Sequence, residues 1–390
     1  MLSMNGVVPR GLRAMILCNQ ISGFWLQSPT SRSKRLLVSI FEWFIVILLI
    51  YNTIYNIVRL FSIKNFVLLV LTTSAILGIT HTTFSSIMLI IKKKQIISII
   101  KEAQYIVKIP NFYYQQLALL HRVSMRTVYY LIFPFLGFVF AHSNSLYFAS
   151  YIVINPTINA TSPEEQFIKD AVANSDDDIN IMQILVLINL FSQSFSALKL
   201  VCMDTLLFTL LYFVSEELKI LRATLYEAML IGPVPSFKRV DLTTWLHCQR
   251  RLSRLMARIN KTWAPMIVVT VLCNTLAICF LSYTIVRVSE FKILVWIVIG
   301  YTLLTFLDVF LYCEAGHRLK TQGEAITDAV CQGPWLHMKS SFVPGMNLVA
   351  NNCSRSFVAR GGPFFTLSLE FFASLVGAVL TYLIVLLQIK

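Results

Sequence analysis

The stretch LLVSIFEWFIVILLIYNTIYNIVRLF occupies residues 36–61 and is apolar over almost its whole length. A hydrocarbon core of about 30 Å needs roughly 20 apolar helical residues, so this stretch is long enough to cross a membrane. Six similar runs follow: Phe66–Ile91, Thr127–Ile154, Ile181–Val214, Pro265–Val288, Ile293–Cys313 and Phe364–Ile389. The sequence therefore predicts an all-α polytopic membrane protein with seven transmembrane helices.

The composition agrees with a lipid-embedded chain. Of the 390 residues, 56% are hydrophobic and 13% are charged, and the mean hydropathy is +0.70. A soluble domain is about 45–50% apolar. The formal net charge is +14, but the basic residues lie in the gaps between apolar runs and do not form one patch with interleaved aromatics. We therefore predict the lipid bilayer as a partner and no nucleic acid.

The charges of the connecting segments predict the orientation. Residues 1–35 carry five basic side chains and no acid, and residues 92–126 carry seven basic side chains against Glu102 alone. Residues 155–180 carry six acids against Lys169. Because basic segments stay on the cytosolic side, the N-terminus is predicted to be cytosolic and the C-terminus extracellular. The sequon at Asn159 lies in the acidic loop, so we predict glycosylation there.

The same pattern divides the chain into predicted segments. These are a cytosolic N-terminal segment at 1–35, helices one to four at 36–214, a cytosolic helical anchor at 215–264, helices five and six at 265–316, a cytosolic loop at 317–363 and the seventh helix at 364–390. The fourth run enters Ser215 without Gly or Pro, so its helix should continue past the membrane. Within the anchor, Thr243–Lys261 predicts an amphipathic helix, with an apolar face (Trp245, Cys248, Leu252, Leu255, Ile259) opposite a basic one (Arg250, Arg251, Arg254, Arg258).

Several functional classes fit poorly. A G-protein-coupled receptor would have the opposite orientation and its AspArgTyr and AsnProxxTyr signatures, which are absent. A transporter would show two related halves, and none is evident. No HisGluxxHis, GlyxSerxGly or paired CysxxCys motif occurs, so we predict no enzyme activity, no metal and no cofactor. None of the eight cysteines falls in a predicted extracellular loop, which argues against structural disulfides.

The last run carries a pattern of its own. Its small and polar residues recur every three or four positions on one helix face: Glu370, Ser374, Gly377 or Ala378, Thr381, Val385, and Gln388 or Ile389. One interpretation is a packing seam of Ala373, Gly377 and Thr381 within a single subunit. The other is an aqueous path lined by several copies, because Glu370 and Gln388 are costly against lipid. Val385 and Ile389 would then form an apolar gate, with Gln388 facing a partly hydrated cation.

The stretch TYLIVLLQI, residues 381–389, closely resembles the signature that ends the arthropod gustatory receptors, with Ile389 in place of the usual Phe. Residues 364–390 as a whole are also similar to the end of the insect odorant receptor coreceptor. The resemblance implies a ligand-gated, nonselective cation channel in the plasma membrane of sensory neurons. It also implies a homotetramer, or a heterotetramer with related receptors, whose seventh helices surround the pore.

By the same resemblance, Val385, Gln388 and Ile389 match the pore constriction, and Thr381 and Tyr382 match packing and pore-side positions. Sugar receptors commonly have Glu at the position of Gln388, and the coreceptor has a long insertion that this chain lacks. The first expectation is therefore a gustatory receptor opened by a small extracellular tastant. The alternatives are an odorant receptor or coreceptor-like subunit and, from another class, a metabotropic receptor that is not a channel.

In this family the ligand pocket lies in the outer half of each subunit. Aromatic walls with a few polar groups suit such a pocket, and the side chains of that kind here are Phe138, His142, Tyr147, Asn189, Gln193, Tyr283, Trp296 and Tyr301. Aromatics near the interface could instead form an anchoring belt, and a lone histidine such as His81 could hydrogen-bond a neighbouring helix. We expect Lys199, Asp204 and Asp308 to form an internal ion pair.

Overall fold

Helix is the structure that satisfies every backbone N–H and C=O inside a bilayer, and helices dominate this fold. The computed structural model describes residues 32–61, 63, 66–107, 118–132, 179–229, 241–287, 292–335 and 340–388. The helices are α1 (Arg32–Leu60), α2 (Phe66–Val107), α3 (118–132), α4 (Ile179–Met229), α5 (Leu242–Arg287), α6 (Lys292–Cys331), α7 (Val343–Ser356) and α8 (Leu369–Gln388). A 3-10 turn, Ser340–Phe342, precedes α7, and strands β1 (Arg360–Gly361) and β2 (Phe365–Thr366) precede α8.

Five of these helices are long and apolar enough to cross a membrane, namely α1, α2, α4, α5 and α6. The apolar part of α8, Leu369–Val385, is shorter, although the whole 20-residue helix is about 30 Å long. The third predicted run, Thr127–Ile154, begins in α3 and then leaves the described residues. The all-α polytopic fold predicted from the sequence is confirmed.

Several helices continue far beyond their apolar runs. The fourth does so as predicted, reaching Met229 after 51 residues, a length of roughly 75 Å. The interval 317–363, predicted as a loop, is instead largely helical: α6 continues to Cys331 and α7 follows. The reason is a buried face on the extension of α6, where Leu319, Ile326 and Val330 are fully buried. That face has helical spacing but too few apolar residues to register as a span.

The predicted amphipathic helix Thr243–Lys261 is confirmed as the first part of α5. Its apolar side chains Trp245, Cys248, Leu252, Leu255 and Ile259 are at most 1% exposed, whereas Arg250, Arg254 and Arg258 are exposed. The helix continues without a break through Pro265 to Arg287, so the predicted anchor helix and the fifth apolar run form one rod.

The core lies where these extensions meet. Residues of α2, α4, α5, α6 and α7 form one continuous buried cluster, and the Trp245 Nε1 donates to the Leu221 carbonyl at 2.8 Å. The central helix is α4, because 83% of its most apolar stretch is buried, against 28% for α1. Lipid therefore contacts mainly the outer helices.

Burial also separates the cysteines by reactivity. The seven cysteines in the described part of the chain are free, and Cys353 is buried whereas Cys331 is exposed. Burial raises the pKa of the Cys353 thiol to about 11, so roughly a thousandth of it is thiolate at pH 8. We expect iodoacetamide at pH 8 to alkylate Cys331 and spare Cys353, as read by peptide mass spectrometry. The denatured chain is the control, and equal labelling of both thiols before denaturation would contradict the burial of Cys353.

Candidate functional site

A short strap, residues 357–368, leads from α7 into the last helix. Strands β1 and β2 pair antiparallel, with Arg360 opposite Thr366 and Gly361 opposite Phe365. The turn between them needs a residue at positive φ, and Gly362 takes φ 59° at little steric cost. The Leu367 N–H donates to the Ala359 carbonyl at 2.9 Å. The strap is therefore a closed hairpin that fixes where α8 begins.

The strap is fastened to α5 and α6. The Asn260 Nδ2 donates to the Val358 carbonyl at 2.8 Å, and the Arg360 N–H donates to the Asn260 Oδ1 at 3.1 Å. Leu367 is fully buried and lies directly against Gly316 of α6. The Asn260 side chain thus satisfies two backbone groups of the hairpin. Because Gly316 has no side chain, Leu367 of the strap can pack directly against α6.

The helix α8 begins with a serine cap. The Phe371 N–H donates to the Ser368 Oγ at 3.2 Å, which satisfies one of the free donors at the helix start. Phe371 stacks on Phe365 of the strap, with ring centroids 4.6 Å apart, and Phe372 meets Phe310 of α6 at 5.5 Å. These contacts orient α8 so that Leu375 and Val379 are buried.

The opposite face of α8 is left uncovered by its own chain. The described residues of the predicted polar stripe are all exposed: Glu370, Ser374, Gly377, Ala378, Thr381, Val385 and Gln388. Val385 is 47% exposed and Tyr382 is 37% exposed, and no atom of the described residues lies within 4 Å of a Cβ placed on Gly377. Ile389 lies outside the described residues. The interpretation of Ala373, Gly377 and Thr381 as a packing seam within one subunit is therefore wrong.

Three polar side chains of this face have hydrogen-bond partners in α8 or α6. The Thr381 hydroxyl donates to the Gly377 carbonyl at 2.9 Å, and the Ser374 hydroxyl donates to the Glu370 carbonyl at 3.0 Å. Glu370 accepts from the Lys320 Nζ at 3.1 Å. Because Glu370 is largely exposed, this ion pair contributes little stability in a single chain. These hydrogen bonds orient the polar side chains of the stripe, and the stripe itself stays exposed.

The predicted pocket residues are only partly described. Phe138, His142, Tyr147 and the sequon at Asn159 lie outside the described residues, as do the side chains of Asn189 and Gln193. Tyr283 and Tyr301 are half-buried, and the Tyr283 ring meets Phe66 edge-on at 5.7 Å. Trp296 is 72% exposed, as expected of an interfacial anchor. The pocket remains a prediction.

The expected ion pair of Lys199 with the two aspartates is wrong. Asp204 instead accepts a hydrogen bond from the Tyr312 hydroxyl, and Asp308 accepts from the Asn274 Nδ2 at 2.6 Å. The Lys199 Nζ is buried without a hydrogen-bond partner among the described residues. Lys199 and Asp204 point in different directions from α4, because positions five apart on a helix do not share a face. His81 bonds Thr270 of α5 at 2.6 Å, as the interhelical interpretation predicts.

An ion cluster between α3 and α6 was not predicted. The Arg126 guanidinium donates to Glu314 at 2.9 Å, the Tyr130 hydroxyl donates to the same carboxylate at 3.0 Å, and Arg318 also pairs with it. The signal in the sequence is an acid directly after the apolar run that ends at Cys313. In the part of the chain that is described, no cluster of three or more His, Cys, Asp or Glu could hold a metal ion.

These features define a polytopic helical membrane protein whose last helix presents a polar stripe that its own chain does not cover. Comparison with known proteins narrows this class. The model of the seven-transmembrane odorant receptor family matches residues 65–380. The chain therefore belongs to that family, which confirms the resemblance to the insect gustatory and odorant receptor superfamily and makes the protein a receptor and not an enzyme.

Individual relatives are more distant. The odorant receptor coreceptor of Anopheles gambiae is 30% identical over 152 residues, which is 39% of this chain and 32% of the relative. The coreceptor of Aedes aegypti is 29% identical over the same length. The match thus spans about a third of these curated relatives. The solved structure of the insect olfactory receptor OR5 from Machilis hrabei has a TM-score of 0.76 at 17% identity and covers 97% of this chain and 98% of its own. A structure of that receptor in complex with eugenol matches equally well.

Proposed function

We propose that this chain is a subunit of a tetrameric, ligand-gated, nonselective cation channel of chemosensory neurons. The observation that carries the proposal is the uncovered stripe on α8, which runs from Glu370 to Gln388. A carboxylate, an amide and two hydroxyls are costly when they face lipid, so such a stripe faces protein or water. Four copies around one axis would turn the stripes toward a common aqueous path. The chain would then reside in the plasma membrane with its C-terminal end extracellular.

Along that path the narrowest point is proposed at the end of α8. Val385 and Ile389 would form apolar rings that gate by dewetting, and Gln388 would offer neutral dipoles to a partly hydrated cation. Thr381 and Tyr382 would line and brace the wall one turn earlier. A ring of neutral groups distinguishes one kind of cation from another only weakly, which fits a nonselective pore.

Between the two chemosensory branches, the observations favour an odorant receptor over a gustatory one. The matching family model describes odorant receptors, and the similar solved receptor was obtained in complex with eugenol, a small phenol. We propose that a small ligand of this kind contacts the half-buried Tyr283 and Tyr301, together with the predicted Phe138, His142, Tyr147, Asn189 and Gln193. The similarity of the chain to coreceptors supports a heterotetramer as the second possibility beside a homotetramer.

The test is current recorded from cells that express this chain, alone and with a coreceptor, during panels of volatiles and tastants. We expect an evoked cation current, and we expect Val385→Ala and Gln388→Ala each to raise the permeability of a large organic cation relative to Na⁺ at least twofold. Leu387→Ala is the matched control, because Leu387 is also exposed but points about 160° away from Val385 and about 100° away from Gln388 around the helix. Evoked currents that neither pore variant alters would refute the pore assignment.

The metabotropic alternative makes a different prediction. A receptor that signals through a G protein loses its response in an excised patch without nucleotides, whereas a channel keeps it. We expect the evoked current to persist in excised patches with unchanged single-channel conductance.

A further inference from the structure

The helix α5 contains a proline that leaves one carbonyl without its usual partner. Pro265 has no N–H, so it cannot bond the carbonyl of Lys261 four residues earlier, and its ring also crowds that carbonyl. Such a position inside a long helix normally bends or breaks it. Here the helix continues on both sides, from Leu242 to Arg287. Something outside the helix must therefore stabilise this turn.

That support comes from α2. The Lys92 Nζ donates to the Lys261 carbonyl at 3.2 Å and to the Thr262 carbonyl at 2.9 Å. A charged donor on a carbonyl that has lost its N–H makes a stronger bond than the amide it replaces. Lys92 therefore takes the place of the missing hydrogen bond, and it joins α2 to α5 at the proline.

The same turn of α5 holds the strap that leads into α8. Asn260 precedes Lys261 directly, and its side chain bonds the Val358 carbonyl at 2.8 Å and the Arg360 N–H at 3.1 Å. Residues 260–265 thus receive a charged cap from α2 on one side and clamp the hairpin before α8 on the other. A change in the geometry of this turn would move Asn260, and with it the strap.

We propose that residues 260–265 of α5 form a joint that couples α2 to the last helix, with Lys92 and Asn260 as positioning residues for gating. The inference rests on the proposed function for its consequence, because the moving part is the proposed pore helix. The joint itself is a matter of hydrogen bonds. While Lys92 caps the freed carbonyl, the turn is stiff and the strap is held. When α2 shifts, the cap is lost and the turn can bend at Pro265.

The chemistry of the joint supplies its own test. Pro265→Ala restores the N–H that bonds the Lys261 carbonyl, so it removes the need for Lys92. We would measure hydrogen exchange by mass spectrometry on the full chain in lipid nanodiscs. We expect Lys92→Met to raise the exchange rate of residues 357–367 by about threefold or more. In the Pro265→Ala background the same substitution should leave that rate unchanged.

Three further variants control the measurement. Lys94→Met removes the same charge from an exposed position on α2 and should not alter the strap. Lys92→Arg keeps a charged donor and should preserve most of the protection. Asn260→Ala removes both clamp bonds and should raise strap exchange in either background. An unchanged strap in Lys92→Met, or an effect of Lys92→Met that persists in full in the Pro265→Ala background, would overturn the proposal.

The effect of the joint on gating is measured by electrophysiology, separately from the hydrogen exchange of the strap. With any agonist that opens the wild-type channel, Lys92→Met should shift the concentration for half-maximal current at least threefold, and Pro265→Ala should cancel the shift. A shift that Pro265→Ala does not cancel would count against the joint. Absence of current from the wild type, alone and with a coreceptor, would count against the proposed function, and the exchange rates would still decide whether the joint exists.

Discussion

Substituting valine for Gly316 is expected to abolish the folded receptor. A Cβ at this position would lie 2.5 Å from both the Cβ and the carbonyl oxygen of Leu367, which is much closer than the van der Waals contact of a carbon atom allows. The neighbour is backbone of the strap, so a rotamer change cannot relieve the overlap. Either α6 or the strap must move, and α8 would lose its starting point. Gly316→Ala should have a milder form of the same defect.

The measurement is the monodisperse fraction and melting temperature of the detergent-solubilised protein, by fluorescence-detected size-exclusion chromatography. Gly78→Val in α2 is the matched control for β-branching, because within the described part of the chain nothing lies within 4 Å of a Cβ built on Gly78. Gly78→Ala should even stabilise the protein slightly, since alanine favours a helix by about 1 kcal/mol over glycine. A Gly316→Val protein as monodisperse and as stable as wild type would show that the strap does not pack on α6 as described.

Removing the charge of Glu314 is expected to have the second largest effect. One carboxylate accepts from Arg126 at 2.9 Å, from the Tyr130 hydroxyl at 3.0 Å and from Arg318. The Arg126 guanidinium also lies 4.6 Å from the centre of the Tyr129 ring. Glu314→Gln leaves two arginines without a counter-charge among these contacts. Because the Glu314 side chain is 13% exposed but those of Arg126 and Arg318 are 27% and 42% exposed, the cost should lie between that of a surface pair and that of a buried pair, at about 2 kcal/mol.

The expected result is a clear fall in melting temperature with the fold retained. Glu324→Gln is the matched control, because Glu324 is exposed on the same helix and should change the melting temperature little. The double variant Arg126→Met with Glu314→Leu should recover part of the loss, since it removes both charges together. Equal melting temperatures for Glu314→Gln and Glu324→Gln would show that the cluster does not hold α3 to α6.

The stripe on α8 shows how far a periodic pattern reaches. The spacing from Glu370 to Gln388 predicted that these side chains share a face. Any α-helix places residues with this spacing on one face, whatever the helix packs against. The spacing could not decide whether the face was buried within the subunit. That depended on the burial of Leu375 and Val379 in the core, and on Phe372 meeting Phe310 of α6.

The joint at Pro265 could not be predicted from the sequence, for a related reason. The proline predicts a missing hydrogen bond at Lys261, but not the group that replaces it. Lys92 is 169 positions earlier, and it is one of three consecutive lysines that look equivalent in the chain. Only the packing of α2 against α5 selects it.

By itself the sequence determined the solvent, the helical class of the fold and the existence of a polar face on the last helix. These follow from properties that are local along the chain: the length of apolar runs, the helical repeat and the need to satisfy backbone groups inside lipid. Tertiary structure alone decided which buried polar groups meet, such as Asp204 with Tyr312, and how the strap is fastened to α5 and α6. Such pairings depend on the rotation and depth of whole helices against each other, and those are set by the summed fit of many side chains far apart in the chain.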